Sequence, residues 1–235
     1  MSQIESVTGR LVRTAEMLSD DQAREPSLLP GWTRGHVLTH IARNAGGLSN
    51  LLTWALTGTP TPQYPSLEAR NAQIDEGAGR PAADLAADVI ESARRFVALA
   101  RELSLEAWAA EVQALRGPAH PAWFVLHRRL FEVEVHHVDL ASGYTAADWP
   151  DWFVAEQLYR VTASLDANPA TPAAVLADTE AVRQYVLRPE LLRDSPARTV
   201  SGRGHELLAW LLGRDPGGTL AADPAGPLPA IPAYG

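Results

Sequence analysis

The sequence predicts an α+β protein, a four-helix bundle followed by a small α/β domain. Three observations predict it. Before residue 145, apolar residues recur at spacings of three and four in four long segments, the pattern of helices with one buried stripe. After residue 165 that pattern gives way to short, turn-bounded apolar runs that suit strands. Between the two regimes, Trp149-Pro150-Asp151-Trp152 reads as a boundary, which places the domains at residues 1–148 and 149–235.

The first helix carries Ile4, Val7, Leu11, Ala15 and Leu18 and ends at Ser19-Asp20-Asp21. The second follows Pro30-Gly31-Trp32, with Thr33 placed to cap its start. Its stripe is Val37, Ile41, Ala45, Leu48, Leu52 and Ala55, and Gly58 with Pro60 stops it. The third carries Leu85, Val89, Ala93, Phe96, Ala100 and Leu103, with Pro81 near its start. The fourth covers about residues 122–142 and is followed by Gly143. The link from Thr57 to Arg80 is rich in Pro, Gly and Thr and reads as a long loop, functional or mobile. Beyond the boundary come a helix from Phe153 to Leu165 and strands at Ala173–Ala177, Val182–Leu187 and Arg198–Ser201. A helix from His205 to Arg214 and a proline-rich tail from Leu220 to Gly235 complete the chain.

Composition sets limits on function. The 235 residues are 46% hydrophobic and 20% charged, enough apolar content for a sizeable core. The net charge of -8 argues against nucleic acid as a partner, because phosphate binding needs a basic face. There is no cysteine, which excludes a disulfide scaffold, a thiolate metal cluster and a cysteine nucleophile. Any thiol chemistry must therefore use a thiol from outside. Glu5, Arg10, Arg13 and Glu16 interrupt the N-terminal apolar residues, so no signal-peptide core is read there. No run reaches the roughly 18 apolar residues of a membrane span. A cytoplasmic monomer with no membrane partner is the expectation.

The fourth helix holds the most informative pattern. In Phe131-Glu132-Val133-Glu134-Val135-His136-His137-Val138-Asp139-Leu140, Glu132 and His136 are offset by only ~40° around the axis. Apolar residues flank them on both sides, leaving Glu132, His136 and Asp139 in a polar wedge, where metal ligands project in helix bundles. Taken alone, a Glu and a His at this spacing read first as a surface or half-buried ion pair. His137 reads as a packed core histidine, Glu134 has no assigned role, and Asp139 reads equally as a partner of His136 or a helix-end contact. The second helix offers His36 and His40, which spacing alone does not rank. With His40, the set His40, Glu132 and His136 has the composition of a catalytic zinc site, three protein ligands and one open position.

Several motifs together resemble the mycothiol-dependent maleylpyruvate isomerases. They are Leu29-Pro30-Gly31-Trp32-Thr33-Arg34-Gly35-His36 continuing to His40 and Asn44, then Trp54-Ala55-Leu56-Thr57-Gly58-Thr59. The stretch Pro65 to Asn71, the Glu132 to His136 run with Val138-Asp139-Leu140, and Gly202 to Leu212-Gly213-Arg214 continue the resemblance. It implies a DinB-like bundle with an α/β C-terminal domain, metal ligands at His40, Glu132 and His136 rather than His36, and an essential arginine at Arg214. It also implies zinc or another divalent metal, mycothiol or a similar low-molecular-weight thiol, and a small dicarboxylate substrate. The implied reaction is the isomerisation of maleylpyruvate to fumarylpyruvate in gentisate breakdown. A thiolate adding to the conjugated double bond would leave a single bond that can rotate before elimination. The metal would either activate the thiol or polarise the substrate carbonyl. Arg214 would pair with a substrate carboxylate, although by position alone it reads first as a helix-end arginine favoured by the dipole.

Two other readings compete. A mycothiol S-transferase of the same superfamily would keep the three ligands and act on another electrophile. A non-catalytic helical binding module of the anti-sigma type would hold no tight metal and tolerate alanine at Glu132 and His136.

Overall fold

A computed structural model describes residues 1–193 and 198–234. The chain forms two compact units, Met1–Tyr144 and Thr145–Gly235. The boundary expected after residue 148 lies just past a 3-10 turn, Ala146–Asp148, at the start of the second unit.

The first unit contains α1 (Ser2–Glu16), α2 (Asp20–Arg24), α3 (Arg34–Thr57), α4 (Leu67–Ala78), α5 (Ala82–Glu102), α6 (Leu105–Ala109) and α7 (Phe124–Asp139). A two-residue ladder of β1 (Glu111–Val112) and β2 (His120–Pro121) precedes α7. The bundle is α1, α3, α5 and α7, in which α1 and α3 each pack against both α5 and α7. Its core is the stripe that the periodicity marks, including Leu11, Val37, Ile41, Leu48, Leu52, Leu85, Phe96 and Val133, all buried. Each such leucine contributes about 2 kcal/mol of transfer free energy. Thr33 caps α3 by accepting from His36 N at 3.3 Å, and Gly58, at φ 71°, ends it.

The link between residues 57 and 80 is not a structureless loop: it contains α4, with Ser66 accepting from Ala69 N at 3.1 Å at its start. Only Ile74 and Ala78 of α4 are buried, too few to print a helical stripe. Helix α4 also approaches α3 closely at glycines. A Cβ on Gly35 would stand 2.1 Å from Ala78 O, and one on Gly77 would stand 2.5 Å from Thr39 Cγ2. Small residues give no hydropathy signal, so the contact leaves no trace in the pattern.

The second unit contains α8 (Asp151–Asp166), β3 (Ala174–Asp178), β4 (Arg183–Leu187), β5 (Arg198–Gly202), α9 (Gly204–Leu211) and β6 (Ala221–Asp223). Its sheet has the order β4-β3-β5-β6, with β3 and β5 parallel and the outer pairs antiparallel. Helices α8 and α9 pack on each other, α8 against β4 and α9 against β3 and β5. The tail from Leu220 is not wholly irregular, because Ala221–Asp223 pairs with β5; its last residue, Gly235, lies outside the described residues. Ala-Ala-Asp has no intrinsic strand preference, so tertiary pairing alone makes this strand.

Candidate metal centre

Helices α3 and α7 pack directly against each other and carry the three expected ligands onto one point. His40 Nε2 is 2.9 Å from Glu132 Oε2 and 3.1 Å from His136 Nε2, and His136 Nε2 is 3.3 Å from Glu132 Oε2. Among the described residues these are the His and acidic groups whose ligand atoms converge within 4.8 Å. Zinc bonds of 2.0–2.2 Å in a tetrahedron require donor separations of about 3.3–3.6 Å. The observed triangle is a few tenths of an ångström smaller, so the residues fit a divalent ion with little movement. Two imidazoles and one carboxylate are also the donor types that zinc takes at a catalytic site.

A partner behind each imidazole fixes its ring. His136 Nδ1 donates to Asp139 Oδ2 at 2.7 Å, and Asp139 is fully buried. That contact is the one expected of Asp139 as a partner of His136, and it leaves His136 Nε2 facing the triad. Behind His40, Arg70 Nη2 donates to His40 Nδ1 at 3.0 Å. Trp32 lies against His40 with ring centroids 5.6 Å apart.

Without a metal, the triad distributes its protons unevenly. Burial and the neighbouring His136 lower the His40 pKa to about 4, against the opposing pull of Glu132. Burial works against the charged His136, but hydrogen bonds to Asp139 and Glu132 outweigh it and raise its pKa to about 9. Burial likewise opposes the Glu132 carboxylate, yet hydrogen bonds from His136 and His40 hold it well below the usual carboxylate range. A neutral His40, an anionic Glu132 and a cationic His136 result at neutral pH.

A recess of about 190 Å³ opens beside His40 and Glu132, with Tyr64, Arg70, Arg116 and Arg128 in its wall. The buried Tyr64 hydroxyl has no hydrogen-bond partner, and burial pushes its pKa up to about 12, so it keeps its proton. Arg129 is fully buried, donating to Ile41 O at 2.9 Å and to Oδ1 of Asn44, a recess residue, at 3.0 Å. Burial lowers its pKa to about 10. Sequence reasoning missed Arg129, although an arginine among Leu126, Leu130 and Val133 three positions before Glu132 is the available signal. It also left Arg70 and Tyr64 without a role, Arg70 having entered only as part of a motif.

The remaining candidates have other places. His36 belongs to the cap of α3: Thr33 N donates to His36 Nδ1 at 3.2 Å, and His36 lies outside the triad. His137 is buried, stacked on Tyr144 with centroids 3.7 Å apart and 2.7 Å from Thr14 Oγ1. Glu134 accepts from Arg10 at 2.6 Å and from the Tyr144 hydroxyl at 2.5 Å. Arg214 stands in the second unit, past the end of α9. Gly213, at φ 69°, donates to Trp210 O at 3.0 Å and Arg214 N donates to Ala209 O at 2.8 Å, so α9 closes in a Schellman motif before Arg214. The Arg214 side chain donates to Leu212 O at 2.7 Å.

Residues 4–141, from α1 to just past α7, match the sequence profile described as the mycothiol maleylpyruvate isomerase N-terminal domain. The chain belongs to this family. Its whole fold also matches a solved structure of the mycothiol-dependent maleylpyruvate isomerase, with a TM-score of 0.91 and 30% identity over 99% of this chain and 95% of that one. A second structure of that isomerase, with one histidine replaced by alanine, matches with a TM-score of 0.90 at the same identity and coverage. No curated protein matches the chain. Family membership thus covers both units of the fold, the helical bundle with the triad and the α/β unit with Arg214.

Proposed function

We propose that this chain is a thiol-dependent cis–trans isomerase that converts maleylpyruvate to fumarylpyruvate, with mycothiol or a similar small thiol as cofactor. The observation that carries the reading is the convergence of His40 Nε2, His136 Nε2 and one Glu132 oxygen within 4.8 Å, in a chain of this family that has no cysteine. The alignment of its fold with the mycothiol-dependent isomerase structures supports the choice of substrate and thiol.

In this reading His40, Glu132 and His136 hold a divalent ion, and the donor set favours zinc. A bound zinc ion supplies Lewis acidity at the position that three protein ligands leave open, where it lowers the pKa of a thiol. Asp139 holds the His136 proton on Nδ1 and so keeps Nε2 available as a ligand. The buried Glu132 brings one negative charge, so the loaded triad keeps a net positive charge that favours anions. Isomerisation requires the double bond to lose its π character for long enough to rotate, and reversible addition of a nucleophile achieves this. The chain offers no sulfur nucleophile of its own, which is why the thiol is external. Arg214 is assigned to a substrate carboxylate, its planar fork suited to two parallel hydrogen bonds. The same reading expects a monomer in the cytoplasm. Among the described residues no helix is long and apolar enough to cross a membrane.

Purified protein incubated with maleylpyruvate tests the reading directly. Fumarylpyruvate is expected only when mycothiol is present, with loss on chelation and recovery on adding zinc back. Conversion at full rate without thiol contradicts it.

A further inference from the structure

We propose that Arg70 is a displaceable guanidinium that couples metal loading at the triad to capture of a carboxylate in the adjoining recess. The inference rests on the metal-site reading and concerns the side of His40 that faces away from the metal. Arg70 Nη2 lies 3.0 Å from His40 Nδ1. A guanidinium has only donors, so Nδ1 must accept. A neutral imidazole has one proton, which then sits on Nε2 and points at Glu132 Oε2, 2.9 Å away. A metal ion on Nε2 needs that lone pair and sends the proton to Nδ1. Two donors would then face each other across 3.0 Å, so Arg70 has to leave His40 when the ion arrives.

The recess is the place that can receive it. Arg70, Arg116 and Arg128 all line it, and among the described residues none of the three forms an ion pair with a carboxylate. Glu132, the acid in its wall, is committed to the triad. Tyr64, only 7% exposed, lines the same recess, and its buried hydroxyl has no hydrogen-bond partner. Arg70 donates to His40 Nδ1 and to Asn71 Oδ1, both neutral acceptors, so none of the three guanidinium groups has an anionic partner, and in a chain of net charge -8 they are a local exception. A carboxylate is the group that satisfies them, since its two oxygens match the guanidinium fork. The recess is thus a carboxylate subsite that is completed when the metal frees Arg70.

Linkage makes the coupling reciprocal: an anion that holds the freed Arg70 tightens metal binding, and the metal tightens anion binding by the same factor. The test uses the full chain stripped of metal, with zinc affinity measured by competition with a chromophoric chelator. Maleate is the probe, and its own affinity for stripped and zinc-loaded protein is measured by calorimetry. Wild-type protein should bind zinc about 10-fold more tightly with saturating maleate, and maleate about 10-fold more tightly with zinc. Arg70→Met should raise zinc affinity in the absence of maleate several-fold and abolish the coupling in both directions. Arg128→Met should leave maleate-free zinc affinity within about twofold and weaken the coupling, with circular dichroism confirming the fold of both variants. If zinc binds through the triad but Arg70→Met neither raises zinc affinity nor reduces the coupling, the role of Arg70 is refuted and the metal site stands. If Glu132→Gln binds zinc as well as wild type does, the metal site itself is refuted, and the coupling with it.

Discussion

Replacing Asp139 by asparagine isolates the support behind one ligand without touching the ligand. The Asp139 side chain is fully buried, and its Oδ2 takes the His136 Nδ1 proton at 2.7 Å. Asparagine keeps the volume but offers a neutral carbonyl or, if turned, an amide donor that would force the proton onto Nε2. Loss of such a partner costs about 10–100-fold in metal affinity, or roughly 1.4–2.7 kcal/mol. The substitution acts on the metal-free protein as well. A His136 pKa raised to about 9 stabilises the fold most below the unfolded value of 6.5, and that contribution is lost as pH rises through about 9. It amounts to roughly 2–3 kcal/mol at pH 7, shared between Asp139 and Glu132. Asp139→Asn should therefore lower metal-free stability by about 1–2 kcal/mol at pH 6.5 and by much less at pH 9.5. Chelator competition reads the affinity, and urea denaturation at the two pH values reads the stability. Zinc affinity within twofold of wild type would refute the claim that Asp139 prepares His136 as a ligand.

Other predictions follow from the same geometry. Zinc binding must remove the proton held on His136 but none from the neutral His40, so apparent affinity should rise about 10-fold per pH unit between pH 6 and 8. It should level off above the His136 pKa of about 9; a flat profile from pH 6 to 8 contradicts the proton distribution. Glu132→Gln removes the anionic ligand and should weaken zinc by at least about 100-fold while the helices stay folded, as seen by metal content after dialysis. Gly35→Ala puts a Cβ 2.1 Å from Ala78 O, a backbone atom that cannot step aside. A loss of about 1–3 kcal/mol and a melting temperature lower by several degrees are expected, and an unchanged melting temperature would show that α4 is not seated on α3 as described.

Much of this architecture can be read from periodicity. Leu11, Ile41, Leu48, Leu85 and Val133 repeat at helical spacing because a bundle buries one stripe per helix, and that stripe also fixes which way Glu132 and His136 point. The choice between His36 and His40 is not legible from spacing, because the two lie one turn apart on the same helix. It is made by a capping contact at Thr33 and by the packing of α3 on α7. Helix α4 escapes periodicity because it buries only Ile74 and Ala78 and meets α3 at the small residues Gly35 and Gly77. Strand β6 escapes because Ala221–Asp223 has no preference apart from its partner. The recess escapes for a third reason. Tyr64, Arg70, Arg116 and Arg128 come from separate segments, and only the folded chain shows that they line one recess.

The central claim is that a three-ligand metal site takes its remaining ligand from an external thiol. X-ray absorption at the zinc edge, on protein loaded with one zinc and saturated with mycothiol, tests it most directly. The chain has no cysteine, and its two methionines, Met1 and Met17, lie outside the triad, so sulfur at the metal has to come from the thiol. One sulfur neighbour at about 2.3 Å alongside nitrogen and oxygen neighbours near 2.0–2.1 Å is the predicted result. A zinc shell of nitrogen and oxygen alone under the same conditions would contradict it.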